Sequence, residues 1–427
     1  MNLTVSSTDN LISTEDRDTE DERAFRLKAR EWMHGKLPPR VVGQPFMDWD
    51  DKDLIETDRK TQRVLWDGGL AGITVPKEYG GLGLTRRHET IFGEEAMPYR
   101  LAWHLGNNYN IVIPVFLGHA SEEQKQHYIP KMLNGEHIWA QMTSEPSGGS
   151  DLFGLITRAE KRGDKWSLNG SKIWTTGGED SDIGLCLART DPSLPKHQGL
   201  TMFIVDMHQP GMTVRPLTLV NGTRDFCQEF LDNVEVPLEN IVGEVNGGWA
   251  VASTQLASER AATSRGWFIG AGASLPREQI EIASEPVKLA QELGLAETQR
   301  AKQIVGEVIA LQALRELVAQ RAGKGIDAGT LPPTTGGVAS LANSTLNQHA
   351  SELMSELAGP CGVTGPAKGG EPDPGIDRIW LFRIGGGTAE MLRNTISERH
   401  LGLPREPLPG KDVPFNQLKT NAAPTGA

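Results

Sequence analysis

The feature that most restricts this chain is a double change of hydrophobic period. Apolar residues recur at helical spacing up to about residue 138, fall into short strand-like runs from Trp139 to about Val245, and return to helical spacing after Gly248. A chain of 427 residues patterned in this way is too long for one small core. The pattern predicts a mainly α fold with an inserted β domain. The boundaries it gives are a helical domain over residues 1–138, a β domain over 139–246, a helical domain over 247–405 and a Pro-rich tail over 406–427. That tail can either dock or stay disordered.

The local signals fill in this outline. Phe25, Ala29, Trp32 and Met33 predict a helix over 18–37, ended by Pro38 and Pro39, and further helices are expected over 52–68, 89–98 and 107–118. Ser121 followed three residues later by Gln124 is a capping box, opening a helix that should end near Asn134 and Gly135. Gly80, Gly81 and Gly83 do not sit between a strand and a helix, so they predict a tight turn, not a dinucleotide fingerprint. Strands are expected over 183–188, 200–206, 212–217 and 227–231. Asn169 followed by Gly170 predicts a two-residue type I′ turn joining a strand over 166–168 to one over 171–174. Ala301, Ile304, Val308, Leu311, Leu314 and Val318 form one core-facing stripe, and Val338, Leu341, Leu353 and Leu357 form another.

Several function classes are set aside by composition. The chain has 43 Lys and Arg against 55 Asp and Glu, a net charge of −12, with no basic run, so nucleic acid is not an expected partner. No apolar run approaches the length of a bilayer span. The acidic first residues do not resemble a signal peptide, and a cytoplasmic protein is expected. Cys186, Cys227 and Cys361 are odd in number and have no metal-ligand spacing, which suits inert thiols in a reducing compartment.

The stretch richest in chemistry runs from residue 139 to 177. It places Thr143, Ser144, Glu145, Pro146, Ser147, Gly148, Gly149, Ser150 and Asp151 in one loop, where small hydroxyls and open backbone N–H groups suit a polar ligand approached closely by the main chain. Trp174 and Thr176 follow on or just past a strand, adding an aromatic face and a hydroxyl.

These two blocks, in this order and spacing, resemble the flavin-binding segment of the acyl-CoA dehydrogenase family. The family's T-E-P-x-x-G-S-D corresponds to residues 144–151, and its W-I-T-N to Trp174, Thr175, Thr176 and Gly177. The resemblance implies an N-terminal helical domain, a middle β-barrel domain and a C-terminal four-helix bundle. It also implies FAD as cofactor, contacted by Gln141, Thr143, Ser144, Gly149, Ser150, Trp174 and Thr176, with Thr388 and Glu390 adding contacts at the start of the last helix.

The family's usual catalytic glutamate stands in Y-E-G-T, but here the corresponding residues are Gly385, Gly386, Gly387 and Thr388, so no base is available there. A subset resembling isovaleryl-CoA and long-chain acyl-CoA dehydrogenases places the base in L-x-x-E-R on the helix after the β domain. That motif is present as Leu256, Ala257, Ser258, Glu259 and Arg260. The resemblance therefore implies Glu259 as the base for the α-proton and Arg260 as a contact to the pantetheine arm. It gives the Gly386 N–H, with a flavin ribityl hydroxyl, the task of holding the thioester carbonyl.

The expected reaction is FAD-dependent α,β-dehydrogenation of an acyl-CoA thioester to the trans-2-enoyl-CoA, a β-oxidation step of lipid metabolism with hydride transfer to flavin N5. No side chain accepts a hydride, so the cofactor is required by the chemistry. An electron-transfer flavoprotein as acceptor and a homotetramer are the family's implications. Two departures keep alternatives open. No Arg-x-x-Phe-Gly segment occurs between Gly266 and Arg300, and the family's adenosine-binding segment is altered to Glu356, Leu357, Ala358, Gly359, Pro360, Cys361 and Gly362. The alternatives are a non-catalytic or FAD-sharing subunit of a heteromeric acyl-CoA dehydrogenase, and a flavoprotein oxidase of the same fold.

Overall fold

The computed structural model describes residues 18–40, 48–219, 222–265, 268–269, 273–274, 279–360, 381–405, 407 and 410–418. Cys361, most of the 266–300 segment and the end of the altered adenosine segment lie outside them or are described only as backbone.

Among the described residues, five α-helices precede the strands. They are α1 (Glu20–Met33), α2 (Lys52–Asp67), α3 (Arg86–Ala96), α4 (Ile113–His119) and α5 (Glu122–Leu133). Side-chain caps set the starts of α2 and α5. Asp51 accepts the Leu54 N–H at 2.9 Å to start α2. Ser121 and Gln124 bond each other's backbone N–H groups at 3.2 and 3.0 Å, the reciprocal capping box the sequence predicts. The segment expected as one helix over 107–118 begins instead as a π-helical turn, Asn108–Val112, and becomes α-helical at Ile113, with Pro114 in the first turn. A proline cannot donate the i→i−4 bond, and the wider turn precedes it. Gly80 and Gly83 do form a turn with positive φ, and a Cβ at Gly81 would collide with the Val75 carbonyl.

The strands are β1 (Trp139–Met142), β2 (Arg158–Arg162), β3 (Lys165–Thr176), β4 (Ile183–Arg189), β5 (Leu200–Asp206), β6 (Met212–Leu217), β7 (Phe226–Pro237) and β8 (Ile241–Val242). They form one eight-stranded sheet in the order β6, β7, β3, β2, β4, β5, β8, with β1 pairing parallel to β4. β4 and β5 are buried along almost their whole length, which accounts for their unbroken apolar runs.

The expected hairpin turn is displaced. Asn169 and Gly170 lie inside the single twelve-residue strand β3, and the reversal occurs at Gly163, φ 64°, between β2 and β3. Gly170 is needed for close approach instead of for a turn. A Cβ there would strike Thr157, and the ladder to β7 slips by one residue between Leu168 and Gly170.

After the sheet come α6 (Gly248–Arg265), α7 (Gln279–Glu292), α8 (Gln299–Asp327), α9 (Gly336–Ala358), the short α10 (Leu381–Ile384) and α11 (Ala389–Arg399). The chain divides into two compact units, and the division falls within α6. Arg26–Ser258, with Glu406–Ala427, belongs to one unit, and most of Glu259 onward to Arg405 belongs to the other.

Within the first unit the early helices and the sheet share one core. Trp139, fully buried, packs edge-on against Phe116 and Tyr128 at 5.2 and 5.3 Å between centroids. Asn108 accepts the Trp139 N–H at 3.0 Å and donates to the His137 carbonyl at 2.7 Å, so the chain enters the sheet through a satisfied junction.

Within the second unit Ala301, Ile304 and Val308 are buried with Leu353 and Leu357. Leu314 departs from the expected stripe at 48% exposure, because at 3.6 residues per turn it has rotated to the stripe's edge. Val338 is likewise exposed. Among the described residues no helix is long and apolar enough to cross a membrane.

The Gly170 contact is testable. Gly170→Ala is expected to lower the unfolding free energy by about 1–3 kcal/mol in urea titration, through overpacking against Thr157. An unchanged midpoint would mean that β2 and β3 are spaced differently.

Candidate functional site

The site in the first unit is built on a bulge. The β3 ladder to β7 slips between Ile173 and Thr175, so Trp174 is the extra residue, with φ 68°. A tryptophan in the left-handed region costs on the order of 1–3 kcal/mol and persists where its surroundings enforce it. The bulge turns the indole out of the ladder, 56% exposed, with its ring edge-on to Phe226 at 6.0 Å. Thr176 closes the strand, half-buried and paired with Phe226. Gly177 follows with φ 61°, and the Trp49 ring lies where a Cβ would stand. That contact leaves no room for a side chain at position 177.

The loop over 143–151 is held from behind. The Lys172 ammonium, wholly buried, donates to Glu145 Oε1 at 2.8 Å and to the Thr143 carbonyl at 3.2 Å. Glu145 also accepts the N–H groups of Ile156 and Thr157 at 2.6 and 2.9 Å. The backbones of Glu145 and Gly148 exchange two hydrogen bonds, and the Ile173 N–H donates to the Ser144 carbonyl at 3.0 Å. Burial alone would raise the Glu145 carboxyl, but the Lys172 ammonium and the donors at Ile156 and Thr157 hold it below the usual carboxylate range.

The inner side of the loop is thus satisfied, and the outer side is open. Among the described residues no hydrogen bond occupies the Thr143 or Ser144 hydroxyl or the N–H groups of Gly149 and Ser150. A Cβ at Gly149 would make only ordinary contact with Ser144, so nothing in the protein itself requires glycine there. Gln141, on β1 opposite Leu185, is half-buried beside this loop. Gln141, Thr143, Ser144, Gly149, Ser150, Trp174 and Thr176, expected together from the sequence, therefore stand on segments that the structure brings together. The arrangement offers several donors beside one exposed aromatic face, which suits a planar heteroaromatic ligand with polar edges.

Three residues that organise this region were not singled out by the sequence. Lys172 is one, and Arg189 at the end of β4 is another. The third is Glu229 on β7, wholly buried, with Oε2 accepting the Thr175 hydroxyl at 2.7 Å and Oε1 without a partner. Burial pushes the Glu229 carboxyl up to about 7, against the opposing pull of the Thr175 hydroxyl and the Lys172 ammonium. Each has one polar and one apolar neighbour in the sequence, so no local signal sets it apart from a surface charge. Burial likewise raises the Cys186 and Cys227 thiols to about 11, so both are inert near neutrality.

The second unit holds the remaining expected residues. Glu259 and Arg260 lie half-buried on α6. The Arg260 Nε is buried without a hydrogen-bond partner. Burial lowers its pKa, nearby Arg399 lowers it further, and Glu259 opposes both. A desolvated guanidinium beside a second cation favours an electron-rich ligand.

Gly386 and Gly387 have φ of 72° and 100°, a backbone that favours glycine. Thr388 caps α11, its hydroxyl accepting the Met391 N–H at 3.2 Å. Glu390 is exposed and paired with Arg383 at 3.1 Å. Its carboxyl is lowered by the helix-terminal N–H and by Arg383. Among the described residues no group of three or more His, Cys, Asp or Glu is arranged to hold a metal ion.

Three family models match the chain in succession. The acyl-CoA dehydrogenase N-terminal domain matches residues 19–136, the middle domain 140–234 and the C-terminal domain 246–401. Acyl-CoA dehydrogenase FadE34 of Mycobacterium tuberculosis is 33% identical over 355 residues, covering 82% of this chain and 47% of that protein, so the chain spans about half of its length. Acyl-CoA dehydrogenase IpdE1 of the same organism is 30% identical over 399 residues, covering 91% and 99%. Among solved structures, the Tcur3481-Tcur3483 steroid ACAD superposes with a TM-score of 0.74 at 26% identity, covering 91% of this chain and 99% of that one. The ChsE4-ChsE5 complex from Mycobacterium tuberculosis gives a TM-score of 0.70 at 25% identity, covering 91% and 99%.

The buried Glu229 gives a pH signature. The folded carboxyl holds its proton up to about 7, whereas the unfolded one releases it near 4.5. Between those values the folded state binds more protons, so this group's contribution to stability falls as pH rises and stays low above about 7. Glu229→Gln removes that dependence. Relative to wild type, the variant is expected to gain on the order of 3 kcal/mol between about pH 4 and about pH 8, read by urea unfolding. A pH-independent difference would mean that Glu229 titrates as an ordinary exposed carboxylate.

Proposed function

Because the chain belongs to the acyl-CoA dehydrogenase family, we propose that it binds FAD on the β domain and dehydrogenates an acyl-CoA thioester between Cα and Cβ. The observation that carries the reading is the exposed Trp174 indole, held in a left-handed bulge beside a loop with unoccupied donors. Those residues fit a flavin. The indole can cover the ring face, while Thr143, Ser144 and the N–H groups of Gly149 and Ser150 can meet its polar edge. When bound, FAD supplies the hydride acceptor that no side chain provides.

The chain's own residues supply the rest. Glu259 takes the α-proton, a role no carboxylate at position 386 can fill because Gly386 stands there. The Gly386 N–H donates to the thioester carbonyl as charge develops on its oxygen, and the left-handed backbone makes glycine suitable there. Arg260, desolvated and without a partner at Nε, holds the pantetheine arm. Thr388 and Glu390 would contact the cofactor at the N-terminus of α11, where N–H groups favour a polar or anionic ligand. An electron-transfer flavoprotein would reoxidise the reduced cofactor.

A second reading is favoured by the two-chain assemblies named among the similar structures. Together with the missing Arg-x-x-Phe-Gly segment, they support a heteromer in which a partner chain completes the cofactor site. The relative named as a steroid ACAD makes bulky, ring-containing acyl groups a substrate class to test beside branched short ones.

Anaerobic titration of the purified protein with acyl-CoA thioesters distinguishes these outcomes. Bleaching of an oxidised flavin band by at least one thioester supports the dehydrogenase reading. Purification without flavin, with uptake only after a partner is added, supports the heteromer. Glu259→Gln is expected to keep the flavin spectrum and slow bleaching by about 100-fold or more. Near-normal bleaching in that variant would place the base elsewhere.

A further inference from the structure

The described part of the C-terminal tail, residues 410–418, lies beyond the last residue matched by the C-terminal family model, 401. It packs within the same compact unit as the sheet. The Phe415 N–H donates to the Leu194 carbonyl and the Asn416 N–H to the Pro192 carbonyl, both at 2.9 Å, and Pro414 forms a bridge with Pro195. The tail is thereby tied to the loop between β4 and β5.

Its side-chain anchor is Arg189. The Phe415 ring lies over the guanidinium with 3.6 Å from Cζ to the ring centroid. Arg189 is 4% exposed and, among the described residues, no carboxylate forms an ion pair with it. Its donors go to carbonyls instead. Nη2 reaches the Phe153 oxygen at 2.6 Å and the Lys196 oxygen at 3.2 Å, and Nε reaches the Leu155 oxygen at 3.2 Å. Nη1 is buried without a partner. Burial pushes the guanidinium down to about 10, although Glu145 and Asp151 act to raise it.

Phe153 and Leu155 directly follow the loop that carries Gly149 and Ser150. A second tie joins the same two segments, because Lys196 pairs with both oxygens of Asp151 at 2.9 Å. Phe153 is further fixed by the Trp249 ring, 3.9 Å between centroids. The cofactor loop is therefore held on its inner side by Lys172 and at its end by Arg189. The Arg189 cation in turn is covered by an aromatic ring from the tail.

We propose that the tail is a strap and Phe415 a positioning residue, which fixes Arg189 and through it the 149–155 segment of the cofactor loop. The part concerning cofactor retention rests on the flavin reading above. The part concerning loop order does not.

Hydrogen–deuterium exchange on the full chain is compared for wild type, Phe415→Ala and Phe415→Tyr. Phe415→Ala is expected to speed exchange of the 149–155 and 190–199 amides by on the order of tenfold. The amides of α2 and α5 should exchange as in wild type, and Phe415→Tyr, which keeps the ring over the cation, should restore protection. FAD release from the flavin-loaded protein should quicken by a similar factor in Phe415→Ala only. Wild-type exchange at 149–155 in Phe415→Ala would overturn the strap, as would uniform acceleration across α2 and α5. Wild type that holds no FAD would count against the flavin reading, while the exchange comparison would still decide the strap.

Discussion

A lysine ammonium with no exposed surface, 2.8 Å from a carboxylate that is also buried, is the interaction on which this site depends. Neither charge is tolerable alone in that environment, since removing one partner of a buried pair costs about 3–5 kcal/mol and leaves the other unsolvated. Lys172 and Glu145 therefore fix each other, and with them the two segments they belong to. Lys172 sits two residues before Trp174, and Glu145 lies in the loop that carries the small hydroxyls and glycines. The pair sets the distance between the aromatic face and the donors, with the N–H groups of Ile156 and Thr157 completing the carboxylate's coordination.

Around this pair the protein places groups that are costly in themselves. Trp174 occupies a backbone region that aromatic residues avoid, Glu229 is a buried carboxyl with one unpartnered oxygen, and Arg189 is a buried cation served by carbonyls and a ring. Such clustering is common where a fold holds a surface open for a ligand. The apolar part of the sheet tolerates it because β4 and β5 and the helices packed on Trp139 form a continuous core. The displacement of the turn from Gly170 to Gly163 belongs to the same pattern. β3 runs unbroken from Lys165 to Thr176 and carries both Lys172, which faces Glu145, and the bulge at Trp174.

Division of labour between the two units follows the chemistry. The surface proposed for the cofactor needs stiff backbone donors, which the bulged end of β3 and the 143–151 loop supply. The carboxylate proposed to take the α-proton, Glu259, stands on a long element, α6. The left-handed backbone at Gly386, before α11, suits the proposed backbone donor and suits a glutamate poorly, in keeping with a base proposed at Glu259.

By itself the sequence determined the order of helical and strand-rich segments, the capping box of α5, the small-residue loop over 143–151 and the glycine at 386. These are local properties. Period, cap chemistry and motif spacing depend on residues a few positions apart, so they can be read along the chain. Tertiary structure alone decided that Asn169 and Gly170 lie within a strand, that Leu314 reaches solvent, that Glu229 meets Thr175 and that Phe415 covers Arg189. Each of those depends on a neighbour distant in sequence: Thr157 against Gly170, Thr175 against Glu229, a tail phenylalanine against an arginine 226 positions earlier. A buried charge looks like any surface charge until the partner that makes it tolerable is brought to it by the fold.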